Sequence, residues 1–333
     1  MGAKERLARG KLKKEQSMRH GLIKVLLGVW CACSLLLEAQ AHNFEDLSQE
    51  LHATVAELAS KATIGVALII DGQDVITVNN DRHYPLMSVM KFHQGLAVAH
   101  YLKSQHLPLN TPVPLSAALL KSKTYSPLQE HYPPQDLLLP VSDLLRYSLQ
   151  LSDNVACDAL FDFIGGPGYV DAYLRTIGAT DFAIGFSEAQ MQHSKAARRG
   201  NWSTPLSTAQ LWEMLYTTAK TDQYLNFIFT TLQSSPTGKA RLPAALAGTN
   251  AKIAHKTGTS GREDDGRYLA INDAGVVLLP DGRHYSLVIL VTDSSLSVAQ
   301  AEEQIAKLGR IVYRHLSATH DGRESPVLQF AGQ

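Results

Sequence analysis

The sequence predicts an α+β fold, an antiparallel sheet flanked by helices plus an all-helical lobe. Three observations predict it. Strand-like runs lie at the two ends of the chain, the centre is written in helical periodicity, and sequence-adjacent strands are joined by turns short enough for hairpins.

From Asn43 to Ala62, apolar residues at Phe44, Leu47, Leu51, Val55, Leu58 and Ala59 recur at helical spacing and predict a first amphipathic helix. Thr63–Ile70 (TIGVALII) is a β-rich apolar run, Asp71-Gly72 supplies a turn, and Val75–Val78 returns as its partner. After Pro85 the character changes. Helices are predicted over Ser88–Leu102, Val141–Leu151, Asn154–Ile164, Gly168–Ile177 and Ser207–Thr218, between loops rich in Pro, Gly and Ser. Strands resume at Ile253–Thr257, Tyr268–Leu279 and Tyr285–Thr292, with Pro280-Asp281-Gly282 turning between the last two. A closing helix over about Ser297–Leu316 places Ala301, Ile305, Leu308, Val312 and Leu316 on one side. The two ends therefore combine into one discontinuous α/β lobe, 42–87 with 236–320, and 88–235 forms the inserted helical lobe. Residues 321–333 read as a loosely held tail.

At 333 residues, with 45% hydrophobic and 19% charged composition, the chain falls among globular proteins of one large or two interleaved domains. Residues 1–20 are rich in Lys and Arg, Gly21–Leu37 is apolar apart from Lys24, and Ala39-Gln40-Ala41 has the small-x-small form of a signal-peptidase site. Segment 1–41 thus reads as a secretory signal peptide and the destination as the periplasm. The apolar stretch is short for a membrane span, and Lys24 interrupts it. Translation from Met18 would leave a signal of ordinary length, so Met1 and Met18 both stay open as starts. Of the 31 bases and 31 acids, eight and three lie within 1–41, which leaves 23 bases against 28 acids and no basic patch for nucleic acid. Cys31 and Cys33 would leave with the signal, so Cys157 is the remaining thiol and no intramolecular disulfide is expected. The 13 His form no HExxH or H-x-H cluster, and neither a metal nor another cofactor is expected. The mature protein reads as a monomer acting on a small molecule.

Three short strings carry the chemistry: Ser88-Val89-Met90-Lys91, Ser152-Asp153-Asn154 and Lys256-Thr257-Gly258. Each sets a hydroxyl or carboxamide beside an ammonium group, the equipment for making and breaking an acyl-enzyme. Ser88 and Lys91 are three apart at the start of a predicted helix, so both side chains share one face and the Lys can ease removal of the serine proton. The helix N-terminus adds free N–H groups and partial positive charge for an oxyanion beside Ser88. Ser152-Asp153-Asn154 joins two helices; Ser152 can pass a proton between Lys91, Lys256 and a leaving nitrogen, and Asn154 can hold a substrate carbonyl. Lys256, Thr257 and Thr259 end a strand where they can bind a carboxylate, and Gly258 leaves room along the strand edge. Singly, each string has a plainer reading as a helix cap or a solvated lysine. Together and in this order they specify a serine acyltransferase.

Across about Asn43 to Leu316 the chain resembles an Ambler class A serine β-lactamase, with the two-lobed fold shared by these enzymes and the D-alanyl-D-alanine peptidases. Lys91-Phe92-His93, Thr124-Tyr125-Ser126-Pro127, Glu188-Ala189-Gln190-Met191 and Lys256–Gly261 are similar to its extended-spectrum and cephalosporinase branch. The resemblance implies an acyl-enzyme on Ser88, an oxyanion hole from the N–H groups of Ser88 and Thr259, Tyr125 walling the cleft, and Glu188 activating the hydrolytic water. For acylation it leaves the base open between Lys91 and Glu188 acting through a water. Glu188 separates a hydrolase of penicillins and cephalosporins, conferring resistance, from two alternatives with the same strings: a D-alanyl-D-alanine peptidase, and a β-lactam-binding sensor that acylates and stops.

Several positions depart from the family pattern. The Arg two before the Glu and its Asp partner are Phe186 and Asn201, so the usual salt bridge cannot close that loop. The Asn expected four after the Glu is Gln192, so the hydrolytic water must be positioned differently. No Arg stands on the strand after Gly258, because Arg262 and Arg267 lie in the turn; Arg241 is the candidate substitute for binding the substrate carboxylate. Cys157 reads as a buried structural thiol, and His93 and His255 as packing residues. The unpaired loop, with Thr259 and Ser260, implies a cleft open to cephalosporins with bulky side chains.

Overall fold

The structure, a computed structural model, describes residues 43–318. The predicted signal peptide and tail lie outside them. Residues 43–49 are helical and belong to a separate, smaller unit, while Glu50–Ser317 form the larger unit described from here on. Helical geometry ends at residue 56, short of the predicted Ala62, and 57–61 follow as hydrogen-bonded turns.

A five-stranded sheet organises this unit in the spatial order Asp74–Val78, Thr63–Ile70, His284–Ser294, Tyr268–Leu278, Lys252–Thr259. All its pairings are antiparallel, with Thr63 opposite Thr292 and Thr257 opposite Asp273. The predicted joining of the chain ends is thus made between the first and the last strands. Thr63–Ile70 and Tyr268–Leu278 are buried almost throughout, which means that both faces of the sheet are covered. Gly65 is where the cover comes closest: a Cβ there would lie 2.5 Å from the Tyr84 ring and 2.7 Å from Pro205 at the start of the helix Pro205–Thr218.

The central residues are mainly helical as expected, with additions: the short helices Pro127–His131, Glu188–His193 and Lys195–Gly200, a strand pair Pro112–Leu115 with Leu137–Pro140, and a small sheet of Tyr84–Pro85, Trp202–Ser203 and Phe182–Ala183. One further helix is long. The helix Gln223–Gln233, which the sequence reading does not place, begins where Asp222 accepts hydrogen bonds from the Tyr224 and Leu225 N–H groups. Its Tyr, Phe, Ile and Thr residues are intrinsically better strand formers, and burial of Leu225, Ile228 and Leu232 overrides that preference. At the middle of this region lies Met90–Ser104, whose residues from Met90 to Ala99 are all buried. A helix enclosed on every side forms the core itself, and the stacked Phe92 and Trp212 rings, 4.0 Å apart, pack it against Pro205–Thr218. Consequently Lys91, one turn from Ser88, is carried into the interior with no exposed surface.

Candidate active site

Ser88 does not open the α-helix directly. It sits in the 3-10 turn Met87–Val89, after Met87 at φ 48°, and the α-helix starts at Met90. The left-handed Met87 is a strained position that sharpens the turn. Asn272, fully buried on the strand Tyr268–Leu278, fixes the approach: its Nδ2 donates to the carbonyls of Pro85 (2.8 Å) and Leu86 (3.2 Å), while its Oδ1 accepts from Val291 N (3.0 Å). The sheet therefore holds the nucleophile turn through one side chain. Gly258 completes the fit, since a Cβ there would lie 2.4 Å from Leu86 O and 3.2 Å from Ser88 N. Its smallness makes room for the nucleophile turn itself.

Lys91 gathers the other groups. Its Nζ makes hydrogen bonds with Ser88 Oγ (2.9 Å), the Ser152 carbonyl (3.0 Å) and Asn154 Oδ1 (2.6 Å), and it lies 2.6 Å from Glu188 Oε1 in an ion-pair contact. An ammonium has three protons for these four neighbours, and of the four only the Ser88 hydroxyl, or Glu188 when it carries a proton, can donate in return. Ser152 occupies a left-handed conformation, φ 60°, with its carbonyl on Lys91 and its Oγ accepting from Lys256 Nζ at 3.0 Å. Asp153 performs the capping that the plainer reading assigned to this string. Buried completely, it accepts from Ala156 N (2.8 Å), Leu128 N (2.7 Å) and Ser126 Oγ (2.8 Å), so it pins both the helix Asn154–Ile164 and the segment after Tyr125. Asn154 Nδ2 donates to Thr124 Oγ1 (2.8 Å), and Tyr125 stands 62% exposed at the rim.

Lys256 is as buried as Lys91, and burial first, then the Lys91 charge, holds its ammonium well below the usual lysine range. Arg241, 4% exposed, spends its guanidinium on this strand: Nη1 donates to the carbonyls of Asn272 (2.7 Å) and Gly258 (3.3 Å), Nη2 to Thr259 Oγ1 (2.6 Å), and Nε pairs with Glu302 (3.1 Å). Its link to the cleft runs through the Thr259 hydroxyl. Thr237, unnoticed in the sequence, places its Oγ1 3.4 Å from Thr257 Oγ1. His255 packs beneath with Nδ1 2.9 Å from Asp273 Oδ1.

The segment carrying Glu188 is held by side chains gripping backbone. Asp158, on the same helix face as Asn154, accepts from Glu188 N (2.8 Å) and Ala189 N (3.0 Å), and burial raises its carboxyl to about 6. Ser187 and Gln190 form a reciprocal capping box at the start of the short helix Glu188–His193. Where the salt bridge is missing, the fully buried Asn201 closes the loop: Oδ1 accepts from Gly185 N (2.9 Å) and Phe186 N (3.0 Å), and Nδ2 donates to Phe186 O (2.7 Å). Gln192 is exposed and donates to Lys123 O. Cys157 is buried and free, and His93 is fully buried with its pKa lowered to about 4 by desolvation. Among the described residues there is no group of three or more His, Cys, Asp and Glu placed to hold a metal ion, and no helix long and apolar enough to cross a membrane.

The chain is similar to known proteins over most of its length. The model of the β-lactamase enzyme family matches residues 46–316. A β-lactamase of Bacteroides uniformis is 36% identical over 301 residues, covering 89% of this chain and 99% of its own. The extended-spectrum β-lactamase PER-1 of Pseudomonas aeruginosa is 32% identical over 303 residues, covering 88% and 96%. The crystal structure of a class A β-lactamase from Bacteroides cellulosilyticus superposes with a TM-score of 0.76 at 34% identity, covering 83% of this chain and 99% of that one.

Proposed function

We propose the roles of individual side chains from this premise: the chain belongs to the β-lactamase enzyme family, as a class A serine β-lactamase that opens the ring of β-lactams by hydrolysis. The single observation that carries the roles is the convergence of Ser88, Ser152, Asn154 and Glu188 on one buried ammonium, Lys91. In acylation, a proton resting on Glu188 leaves Lys91 with two N–H donors for Ser152 O and Asn154 Oδ1, and with a lone pair for the Ser88 hydroxyl. Ser88 Oγ attacks the lactam carbonyl as its proton passes to Lys91. The developing oxyanion meets the N–H groups of Ser88 and Thr259.

Ring opening needs a proton on the lactam nitrogen. Ser152 delivers it and is refilled from Lys256, whose weakened hold on its proton suits that role. The proton gained by Lys91 then replenishes this pair, and Lys91 takes up the proton of Glu188, which returns to the carboxylate form. In deacylation Glu188 takes a proton from the water that attacks the ester, and Lys91 gives one to the departing Ser88 oxygen, which frees Ser88 and restores the starting state. Lys256, Thr257 and Thr259 bind the substrate carboxylate, with Arg241 orienting the Thr259 hydroxyl from beneath. Asn154 receives the acyl-amide carbonyl, and Tyr125 walls the cleft.

The same reading takes 1–41 as a signal peptide, the periplasm as the site of action, residues 88 and 235 as the limits of the helical lobe, and the monomer as the working form. Purified protein is expected to hydrolyse nitrocefin over many turnovers. A single burst equal to the enzyme concentration, with no further product, would instead describe a protein that acylates and stops.

A further inference from the structure

At the edge of the sheet farthest from Lys252–Thr259, the strand Thr63–Ile70 outruns its partner. Its pairing with Asp74–Val78 begins at Val66 opposite Val78, so Thr63, Ile64 and Gly65 have no strand beside them on that side. A cavity of about 450 Å³ lies there, within the roughly 300–1,000 Å³ of small-molecule sites. Val55, Ala59, Ala62, Ile64 and Val78 make its apolar wall. One side follows the chain from His52 to Ala62, which is roughly 15 Å at a helical rise per residue. A space that long for its volume is narrow, and it suits an extended alkyl chain better than a compact ring.

The mouth carries one unpaired charge. The segment after Val78 is fixed by its own side chains: Asn79 Nδ2 donates to Ile64 O (2.8 Å), the Tyr84 hydroxyl donates to Asn79 O (3.0 Å), Asn80 Oδ1 accepts from Leu206 N (2.8 Å), and the His83 ring stacks on Trp202 at 3.4 Å. Arg82 takes no part in these ties. Among the described residues it makes no ion pair and no side-chain hydrogen bond, yet it lines the cavity, and no Asp or Glu lines the cavity with it. Its guanidinium therefore presents donors in a planar fork with no protein acceptor.

We infer that this cavity binds a medium-chain fatty acid, with the alkyl chain against Val55, Ala59, Ile64 and Val78 and the carboxylate on Arg82. Burial of the chain drives association, and a carboxylate matches the guanidinium fork. A neutral amphiphile would leave that fork unpaired, and a cationic one would be repelled by it. Because the ties along 79–84 hold the mouth before any ligand arrives, little ordering opposes binding.

The test titrates the purified protein by calorimetry with decanoate, decanol, decyltrimethylammonium and acetate, each below any micelle concentration, and follows Tm in parallel. Decanoate is expected to bind at a single saturable site and to raise Tm. Decanol should bind about fivefold more weakly, the size of one exposed charge pair, decyltrimethylammonium more weakly still, and acetate should give no shift. Arg82→Gln should bring decanoate down to the affinity of decanol and leave decanol unchanged. Ala59→Trp, which fills the space, should remove binding of both while keeping the parental far-UV circular dichroism. Arg82 is exposed, so its substitution keeps the inference testable if Ala59→Trp fails to fold. Decanoate that does not saturate, that binds no better than decanol, or that binds Arg82→Gln as it binds the parent would overturn the inference, and so would a folded Ala59→Trp that still binds it. Turnover of β-lactams plays no part in the measurement, so this inference and the lactamase reading fail separately.

Discussion

The two halves of the site are built by different physics. Ser88, Lys91, Ser152 and Lys256 sit on or beside long regular elements, whose geometry links them in a chain of hydrogen bonds of 3.0 Å or less, from Ser88 to Lys91 to Ser152 to Lys256. Glu188 sits on a six-residue helix whose placement depends on Asp158, Asn201 and the Ser187–Gln190 capping box holding backbone groups. On the proposed roles the first half makes the acyl-enzyme, and the second supplies the base that removes it. Rigidity of regular structure therefore serves the step that needs a fixed nucleophile, and the replaceable, side-chain-tied loop serves the step in which lactamases and acylated peptidases differ.

The comparison is broken most directly by removing one base from each half. Lys91→Ala is expected to slow acylation by about 10³- to 10⁴-fold, with little or no acyl-enzyme visible by intact-protein mass spectrometry. Glu188→Ala is expected to form the Ser88 acyl-enzyme and to hold it. If Glu188→Ala turned over penicillin at the parental rate, the loop would have no part in deacylation.

Smaller effects sharpen the division. Asn272→Ala takes away the sheet's hold on Pro85 and Leu86 and should lower the acylation rate on the order of 10- to 100-fold, with deacylation changed far less. Asn201→Ala leaves the buried N–H groups of Gly185 and Phe186 without their acceptor. It should cost about 1–3 kcal/mol of stability, read as a fall in Tm, and let acyl-enzyme accumulate during turnover. Equal slowing of both steps by both substitutions would mean that the two halves are one mechanical unit.

What was legible in the sequence follows the same line. The spacings within SVMK and SDN are set by a helical turn and a cap, and KTG by strand alternation, so short strings report their own geometry. The antiparallel sheet was legible from its apolar runs. The ties of the loop were not, because Asp158 and Asn201 act on backbone that lies 30 and 16 residues away in the chain. Two signals were present all the same. Asp158 stands one turn after Asn154, on the face that already points at Lys91, and Asn272-Asp273 interrupts a strand otherwise fit for full burial. Polar groups in such a strand need partners, and here these are the nucleophile turn and the Arg241–Leu242 segment.

The subtlest expected effect concerns Asp158, where stability and catalysis pull in opposite directions. Its folded-state pKa, about 6, lies above the ordinary 3.8, so the folded protein favours the protonated acid. The sign follows: the stability contribution is fully present below pH 3.8 and is lost as pH rises through 6. At 1.36 kcal/mol per pKa unit the difference is about 3 kcal/mol. Yet the carboxylate is the form that accepts from both Glu188 N and Ala189 N, and protonation below pH 6 turns one of its oxygens into a donor facing an N–H. Deacylation should therefore fall by a few-fold along an acid limb near pH 6. Asp158→Asn keeps one acceptor at every pH and has no charge to desolvate. It should flatten that limb and remove the corresponding decline in Tm between pH 4 and 7, at the cost of a lower plateau rate, because its amide nitrogen cannot accept from Ala189 N. A limb that survived unchanged in Asp158→Asn would assign the titration to another group and leave Asp158 as a tie that works alike in both charge states.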